Sequence, residues 1–246
     1  GGWGLSGPGP GWWRRRCRGR VMGARVSFII PVLNEQATVA NLLRDLRRRY
    51  ALSEIIVVDG GSADSTVEIA MPLCDQLLLG ERGRAQQMNL GGKMATSPYV
   101  FFLHADTRPG IASSQLAVYL AQNPRWGFCR VRLSGERGSF RVIEWFMNLR
   151  SRLTSVATGD QMLFVETSLF QQAGGFDAIP LMEDIALCKQ LRRLARPTII
   201  PEPVVTSSRR WEEGGVVATV VRMWLLRLAY FVGVSPETLG RYYYDR

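Results

Sequence analysis

The sequence predicts an α/β fold with a mainly parallel central sheet flanked by helices. Two observations predict it. Short apolar segments of strand length (residues 26–32, Glu54–Asp59, Gln76–Leu79 and residues 99–104) alternate with segments of helical periodicity. Strands that are apolar throughout must be covered on both faces, the condition of a parallel sheet. Polar clusters also fall where these strands end, and ligands of such sheets sit beyond the carboxyl ends of the strands.

Each element follows in turn. Residues 26–32 (VSFIIPV) form a β-branched, buried strand. Residues 34–50 space Val39, Leu42, Leu43 and Leu46 as one helical face and end in Arg47–Arg49, suited to a helix carboxyl end. EIIVVD is the second strand, residues 60–62 a turn and 63–71 a helix. Gln76–Leu79 is a short third strand, 83–95 a helix and 99–104 (YVFFLH) the fourth strand. This first half reads as a nucleotide-binding α/β unit. The second half is less regular: helices over 113–122, 141–157, 167–173 and Glu183–Leu194, and strands over 127–133, 161–165 and 196–203. Residues 216–232 are a long apolar helix. No internal repeat is present.

Composition narrows the classes. At 246 residues the chain suits one α/β domain, or a core domain with a small appendage. Its 46% hydrophobic and 21% charged residues exclude wholesale disorder and fibrous structure. A chain of this length buries roughly 70–75% of its unfolded surface and needs neither disulfides nor structural metal. Cys17, Cys74, Cys129 and Cys188 are far apart with no CxxC pair, which points to a reducing compartment. The single histidine, His104, excludes a His-rich metal centre.

Net charge is +10. Residues 1–25 carry six arginines and no acid, leaving 25 basic against 21 acidic residues in the body. The excess is therefore mostly a property of the leader, and the expectation is a solvated, disordered leader over 1–24 and no specific nucleic-acid partner. The leader has no apolar core of a secretory signal, and Met22 is a candidate start. The apolar helix over 216–232 is at the lower limit for spanning a bilayer and contains Arg222 and Arg227, each costing about 2.5–3.5 kcal/mol at a span's centre. The reading is a core helix, with a membrane-surface helix, suited by Trp224 and Tyr230, left open.

The chemistry lies at the strand ends. Strand one ends in Pro31-Val32-Leu33-Asn34-Glu35, strand two in Asp59-Gly60-Gly61-Ser62-Ala63-Asp64, and strand four in His104-Ala105-Asp106-Thr107, all on one sheet edge. A carboxylate there can accept from a base or ribose or hold a divalent cation, and the glycine pair lets backbone approach a ligand. Asp64 is equally explained by the dipole of the helix it precedes. Asp59 and Asp106, closing two apolar strands, have little packing rationale.

In their order and spacing PVLNE, VDGGSADST, the strand closing in HAD, and Glu183-Asp184 resemble family 2 glycosyltransferases of the GT-A fold, from about Val26 to Trp211. More narrowly the chain is similar to a small bacterial subgroup marked by GRAxQMNxG, FLHADT and GDQxLFV, here at 83–91, 102–107 and 159–165. The resemblance implies a GT-A domain over 25–211, with an acceptor-side second half, and a helical extension over 212–246 packed on the domain or on a membrane surface. It implies inverting transfer of a sugar from a nucleoside-diphosphate donor, expected to be UDP-linked, to an unknown acceptor, in the cytoplasm or peripherally at the inner face of the membrane.

Residue by residue, the resemblance implies that Pro31, Asn34, Glu35, Asp59 and Gly61 line the nucleotide pocket, with Arg84 reaching the nucleotide or its phosphates. Asp106 matches the last acid of the family's DxD motif and implies Mg²⁺ or Mn²⁺ on the diphosphate. The first acid is replaced by His104, which can contact ribose or phosphate, ligate the metal, or simply end its strand. Asp184 is the implied general base, with Glu183 orienting the acceptor. Gly159, Asp160 and Gln161 face the acceptor or donor sugar. Arg210 and Trp211 resemble the element that clamps donor phosphates or acceptor. A nucleotidyltransferase is the second enzyme reading, disfavoured because PVLNE lacks that class's glycine-rich loop, and a catalytically degenerate sugar-nucleotide binder is a third.

Overall fold

The computed structural model describes residues 23–209, 212 and 214–244. The expected leader over 1–24 therefore lies almost wholly outside the described residues. At its boundary Ala24 is already part of the folded body: it is buried, donates its N–H to Ser113 Oγ at 3.2 Å, and accepts Ser53 Oγ at 2.9 Å on its carbonyl.

The sheet has eight strands: β1 Ser27–Val32, β2 Glu54–Asp59, β3 Gln76–Leu79, β4 Tyr99–Phe102, β5 Thr107–Arg108, β6 Trp126–Leu133, β7 Phe164–Glu166 and β8 Thr198–Thr206. Their order is β3-β2-β1-β4-β7-β6-β8-β5. The first four are parallel, with Val32 opposite Asp59. Beyond β4 the sheet is mixed: β7 runs antiparallel to both β4 and β6, β8 runs parallel to β6, and β5 runs antiparallel to β8. The two-residue β5 has no apolar run and was not expected from sequence; its pairing with β8 exists only in the folded chain.

The helices are α1 Val39–Arg49, α2 Thr66–Ala70, α3 Arg84–Met94, α4 Ser113–Leu120, α5 Gly138–Thr154, α6 Thr167–Gln172, α7 Glu183–Leu194, α8 Val216–Phe231 and α9 Pro236–Tyr244. Residue alternation on β1 divides the core. Phe28, Ile30 and Val32 pack on Val39, Leu42, Leu43 and Leu46 of α1 and Leu116 of α4. Ile29 faces the other way and, with Ile56 and Val58 of β2, joins Met88 of α3, Phe170 of α6, Ile185 and Leu191 of α7, Leu226 of α8 and Leu239 of α9. Gly91 of α3 permits this contact, because a Cβ there would lie 2.4 Å from Ile29 Cγ2.

Several boundaries differ from the sequence expectation. Helix α1 begins at Val39 rather than near residue 34: Asn34 takes φ +55°, and the Glu35 carbonyl accepts Thr38 N and Val39 N in a turn. Strand β7 begins at Phe164, because Gly159–Gln161 is a 3-10 turn and Met162 takes φ +46°. Helix α9 was not expected; α8 and α9 contribute Leu226 and Leu239, both buried, to the core cluster that Ile29 joins. No helix among the described residues is long and apolar enough to cross a membrane.

Candidate active site

The carboxyl ends of β1 and β4 meet helices from the second half around one cleft of about 1520 Å³. Pro31, Glu35 and Arg84 line one side, His104 and Asp106 the strand-β4 end, and Gly159, Asp160, Glu183 and Asp184 the opposite side. Helices α5 and α8 close it with Phe146, Arg150, Met223, Trp224 and Arg227. Segments some 150 residues apart in sequence thus share one cavity.

The loops after β1 and β2 are knitted together. Asn34 N donates to Ser62 Oγ at 2.9 Å, and Asn34 Oδ1 accepts Ala63 N at 2.8 Å. Glu35 N donates to Thr66 Oγ1 at 2.7 Å, while Glu35 Oε2 accepts Thr38 Oγ1 at 2.7 Å. Asp59 is buried; its Oδ2 accepts Gly61 N and Ser62 N, both at 2.9 Å, and its Oδ1 accepts Ser62 Oγ. Gly61 takes φ +90°, a conformation that glycine adopts without cost. Asn34, Asp59 and Gly61 are therefore not on the cleft wall. They set the shape of the turn behind it. Asp64 is partly exposed, and its carboxyl is held below the usual range by the Thr66 hydroxyl.

At the end of β4 the His104 ring lies against Gly159: a Cβ at that glycine would be 2.4 Å from Cε1 and 2.5 Å from Nε2. His104 Nδ1 is 3.7 Å from Asp160 Oδ1. Gln161 is fully buried and faces away from the cleft. Its Oε1 accepts Ser151 Oγ at 2.8 Å and Thr158 N at 3.1 Å, so it anchors the turn from behind. The GDQ turn thus divides its work: close approach by glycine, charge in the cleft from Asp160, anchorage by Gln161.

Asp184 and Glu183 open α7. Asp184 Oδ2 accepts Gly159 N at 2.9 Å, and its Oδ1 accepts Ile185 N at 2.7 Å. The carboxylate of α7 and the loop before β7 are thereby locked together. Glu183 is only 7% exposed; burial and the neighbouring Asp184 push its carboxyl up to about 7, with Arg84 opposing the shift. Arg210 and Trp211 lie outside the described residues.

Asp106 and His104 are the cleft residues that could hold a cation. Among the described residues no three His, Cys, Asp or Glu side chains gather as a protein-only metal cage. One carboxylate and one imidazole beside an open cleft fit a hard cation that takes further oxygens from a bound diphosphate.

Several positioning and cleft residues went unremarked in the sequence. Gln87 Nε2 donates to the carbonyls of Val32 at 2.9 Å and Val58 at 2.7 Å, tying the ends of β1 and β2 beneath the cleft. Asn89 exchanges two bonds with Phe176, Nδ2 to the carbonyl and Oδ1 from the N–H, both 2.8 Å, which fixes the turn before α7. Both lie in the GRAQQMNLG segment, where a polar residue on a sheet-facing helix was the available signal. Arg150 and Arg227 also line the cleft; an arginine within an apolar helix was the signal at 227.

Similarity to known proteins bears on the family and the fold. The family model for glycosyl transferase family 2 matches residues 27–165. The poly-beta-1,6-N-acetyl-D-glucosamine synthase of Staphylococcus aureus is 30% identical over 189 residues, covering 68% of this chain and 45% of its own length. The chain spans about half the length of such curated relatives. Among solved structures, S. aureus TarS 1-349 in complex with UDP-GlcNAc superposes with a TM-score of 0.62 at 17% identity, covering 75% of this chain and 58% of that one. The mannosyltransferase PcManGT of Pyrobaculum calidifontis, in complex with GDP-Man and Mn²⁺, gives 0.59 at 22% identity, covering 83% and 61%. These structural likenesses establish the mixed α/β fold.

Proposed function

The chain belongs to glycosyl transferase family 2, and from that premise we propose that it moves a sugar from a nucleoside-diphosphate donor, UDP-linked, to an acceptor hydroxyl with inversion at the anomeric carbon. The observation that carries the reading is the Asp184 carboxylate, held by Gly159 N at 2.9 Å in the same cleft as Asp106, Glu35 and Arg84. A direct displacement needs a base on one side of the reacting carbon and a stabilised leaving group on the other, and this cleft holds candidates for both.

In the proposed reaction Asp184 accepts the acceptor hydroxyl proton as that oxygen bonds to the anomeric carbon. The bond from this carbon to the diphosphate oxygen breaks, and its electron pair leaves with the nucleoside diphosphate. General-base assistance of this kind accounts for about 10²–10⁴-fold in rate. Glu183, its carboxyl pushed up by burial and by Asp184, takes a proton more readily than an ordinary carboxylate and in that form can donate a hydrogen bond that orients the acceptor. Pro31, Glu35 and Arg84 form the nucleotide wall, over the turn shaped by Asn34, Asp59 and Gly61. Asp106, with His104 beside it, would hold Mg²⁺ or Mn²⁺, which when bound neutralises charge on the leaving diphosphate. Asp160 faces the transferred sugar or the acceptor. The reading puts the enzyme in the cytoplasm, with contact at the inner face of a membrane supported by the exposed Trp224, Leu225 and Leu228 of α8.

Calorimetric titration of the chain with UDP, beside GDP and ADP, with and without Mn²⁺, tests the reading. Expected is micromolar UDP binding that weakens without the cation. Failure of all three nucleotides to bind would overturn the donor-site assignment.

A further inference from the structure

Among the described residues two guanidinium groups stand in the cleft with no carboxylate paired directly to them, although Asp184 and Asp160 act on both from further off. Arg150 comes from α5 and Arg227 from α8, and both line the cleft with Asp160 and Asp184. Among the described residues neither makes an ion pair. The Nε of each is buried with no hydrogen-bond partner, while Arg150 Nη2 donates to Ser151 Oγ at 3.1 Å. Burial, then repulsion from Arg227, pushes Arg150 down to about 10, and burial lowers Arg227 as well. The wall around them is apolar, made by Ile143, Phe146, Met223 and Trp224. Like charges crowded into such a wall cost free energy unless an anion joins them.

The position of the pair is on the Asp184 side of the cleft. Both helices follow β4 in the chain, and the carboxylates that act on the two arginines are Asp184 and Asp160. Arg84, by contrast, acts on Glu183 from the nucleotide wall. Two guanidinium forks offer more donors than the two oxygens of a carboxylate engage; the three oxygens of a phosphate match them better.

We propose that Arg150 and Arg227 seat a phosphate group carried by the acceptor, with the acceptor hydroxyl turned toward Asp184. The word acceptor rests on the glycosyl-transfer reading above; the anion site does not. The phosphate belongs either to a small soluble metabolite or to a lipid headgroup.

The test uses the full chain. With UDP and Mg²⁺ saturating, inorganic phosphate is titrated by calorimetry into the wild type, Arg150→Gln, Arg227→Gln and the two lysine variants, which keep the charge. Expected are phosphate binding by the wild type, a loss of about tenfold or more in each glutamine variant, smaller losses with lysine, and UDP affinity unchanged within about twofold. Without phosphate the glutamine variants should melt at or above the wild-type temperature, since a like-charge repulsion is gone. Absence of phosphate binding by the wild type, or equal binding by the glutamine variants, overturns the proposal. So does a tenfold loss of UDP affinity in those variants, which would give the pair to the donor diphosphate. If the wild type binds no UDP, the donor reading fails, and the same titration on the free protein still decides the anion site. Glycerol 3-phosphate binding as well as inorganic phosphate supports a soluble acceptor. Sedimentation of the wild type, but not of the double glutamine variant, with phosphatidic acid vesicles and not with phosphatidylcholine vesicles supports a lipid-borne one.

Discussion

His104 and Gly159 are in contact across the cleft: the imidazole occupies the space a side chain at 159 would need, 2.4 Å from where its Cβ would stand. The same glycine donates its N–H to Asp184 at 2.9 Å. One small residue therefore sets the spacing between the end of β4, where the leaving group is proposed to lie, and the proposed base on α7. Gly159→Ala must move the histidine ring or the turn. A misplacement of about 1 Å in such a site costs on the order of 10²-fold in rate. Expected is a kcat loss of that order with the thermal midpoint changed little; unaltered kcat would mean that this contact does not hold the catalytic spacing.

Asp184→Asn keeps the shape of the side chain and removes the proton acceptor. Single-turnover transfer should fall by about 10²–10⁴-fold while UDP affinity stays near the wild-type value. A variant that transfers at the wild-type rate would move the base elsewhere in the cleft.

Glu183 makes stability depend on pH. Its folded carboxyl is raised to about 7, above the ordinary value near 4.5, by burial and by Asp184. The native state then binds more protons than the unfolded state between those values, so the contribution of this group to stability is full below about 4.5 and is lost as pH rises through 7. Thermal midpoints measured from pH 5 to 7.5 should fall more steeply in the wild type than in Glu183→Gln. Parallel profiles for the two would remove Glu183 as the cause.

Asn89→Ala should loosen the turn before α7. It deletes two bonds to Phe176, each worth about 0.5–1.5 kcal/mol. Chemical denaturation should register a loss of about 1–3 kcal/mol, with kcat lowered because the Glu183-Asp184 pair is no longer held in place. A loss of stability with kcat intact would limit Asn89 to the scaffold.

Asp106→Ala should abolish the difference between UDP titrations with and without Mn²⁺, since it removes the one carboxylate proposed to hold the cation. Retention of that difference would shift the cation to other residues.

Local information was enough for the nucleotide half. Apolar runs bounded by polar residues marked β1 to β4, and Glu54–Asp59 and Gln76–Leu79 are observed as read. Asp59 and Asp106 were legible as site candidates because carboxylates closing apolar strands serve packing poorly, whereas Pro31, Arg84, Asp160, Glu183 and Asp184 were implied by the resemblance to family 2 glycosyltransferases. What the chain could not reveal locally depends on distant pairing. A strand over 161–165 was read, but the antiparallel pairing of β7, and β5 altogether, are defined by their partners β4, β6 and β8. Side-chain direction was equally out of reach: Asp59 and Gln161 turn inward to hold loops, whereas Arg150 and Arg227 line the cleft. Periodicity in sequence reports which face of an element is apolar. Only the assembled sheet decides which polar groups from separate helices converge on one cavity.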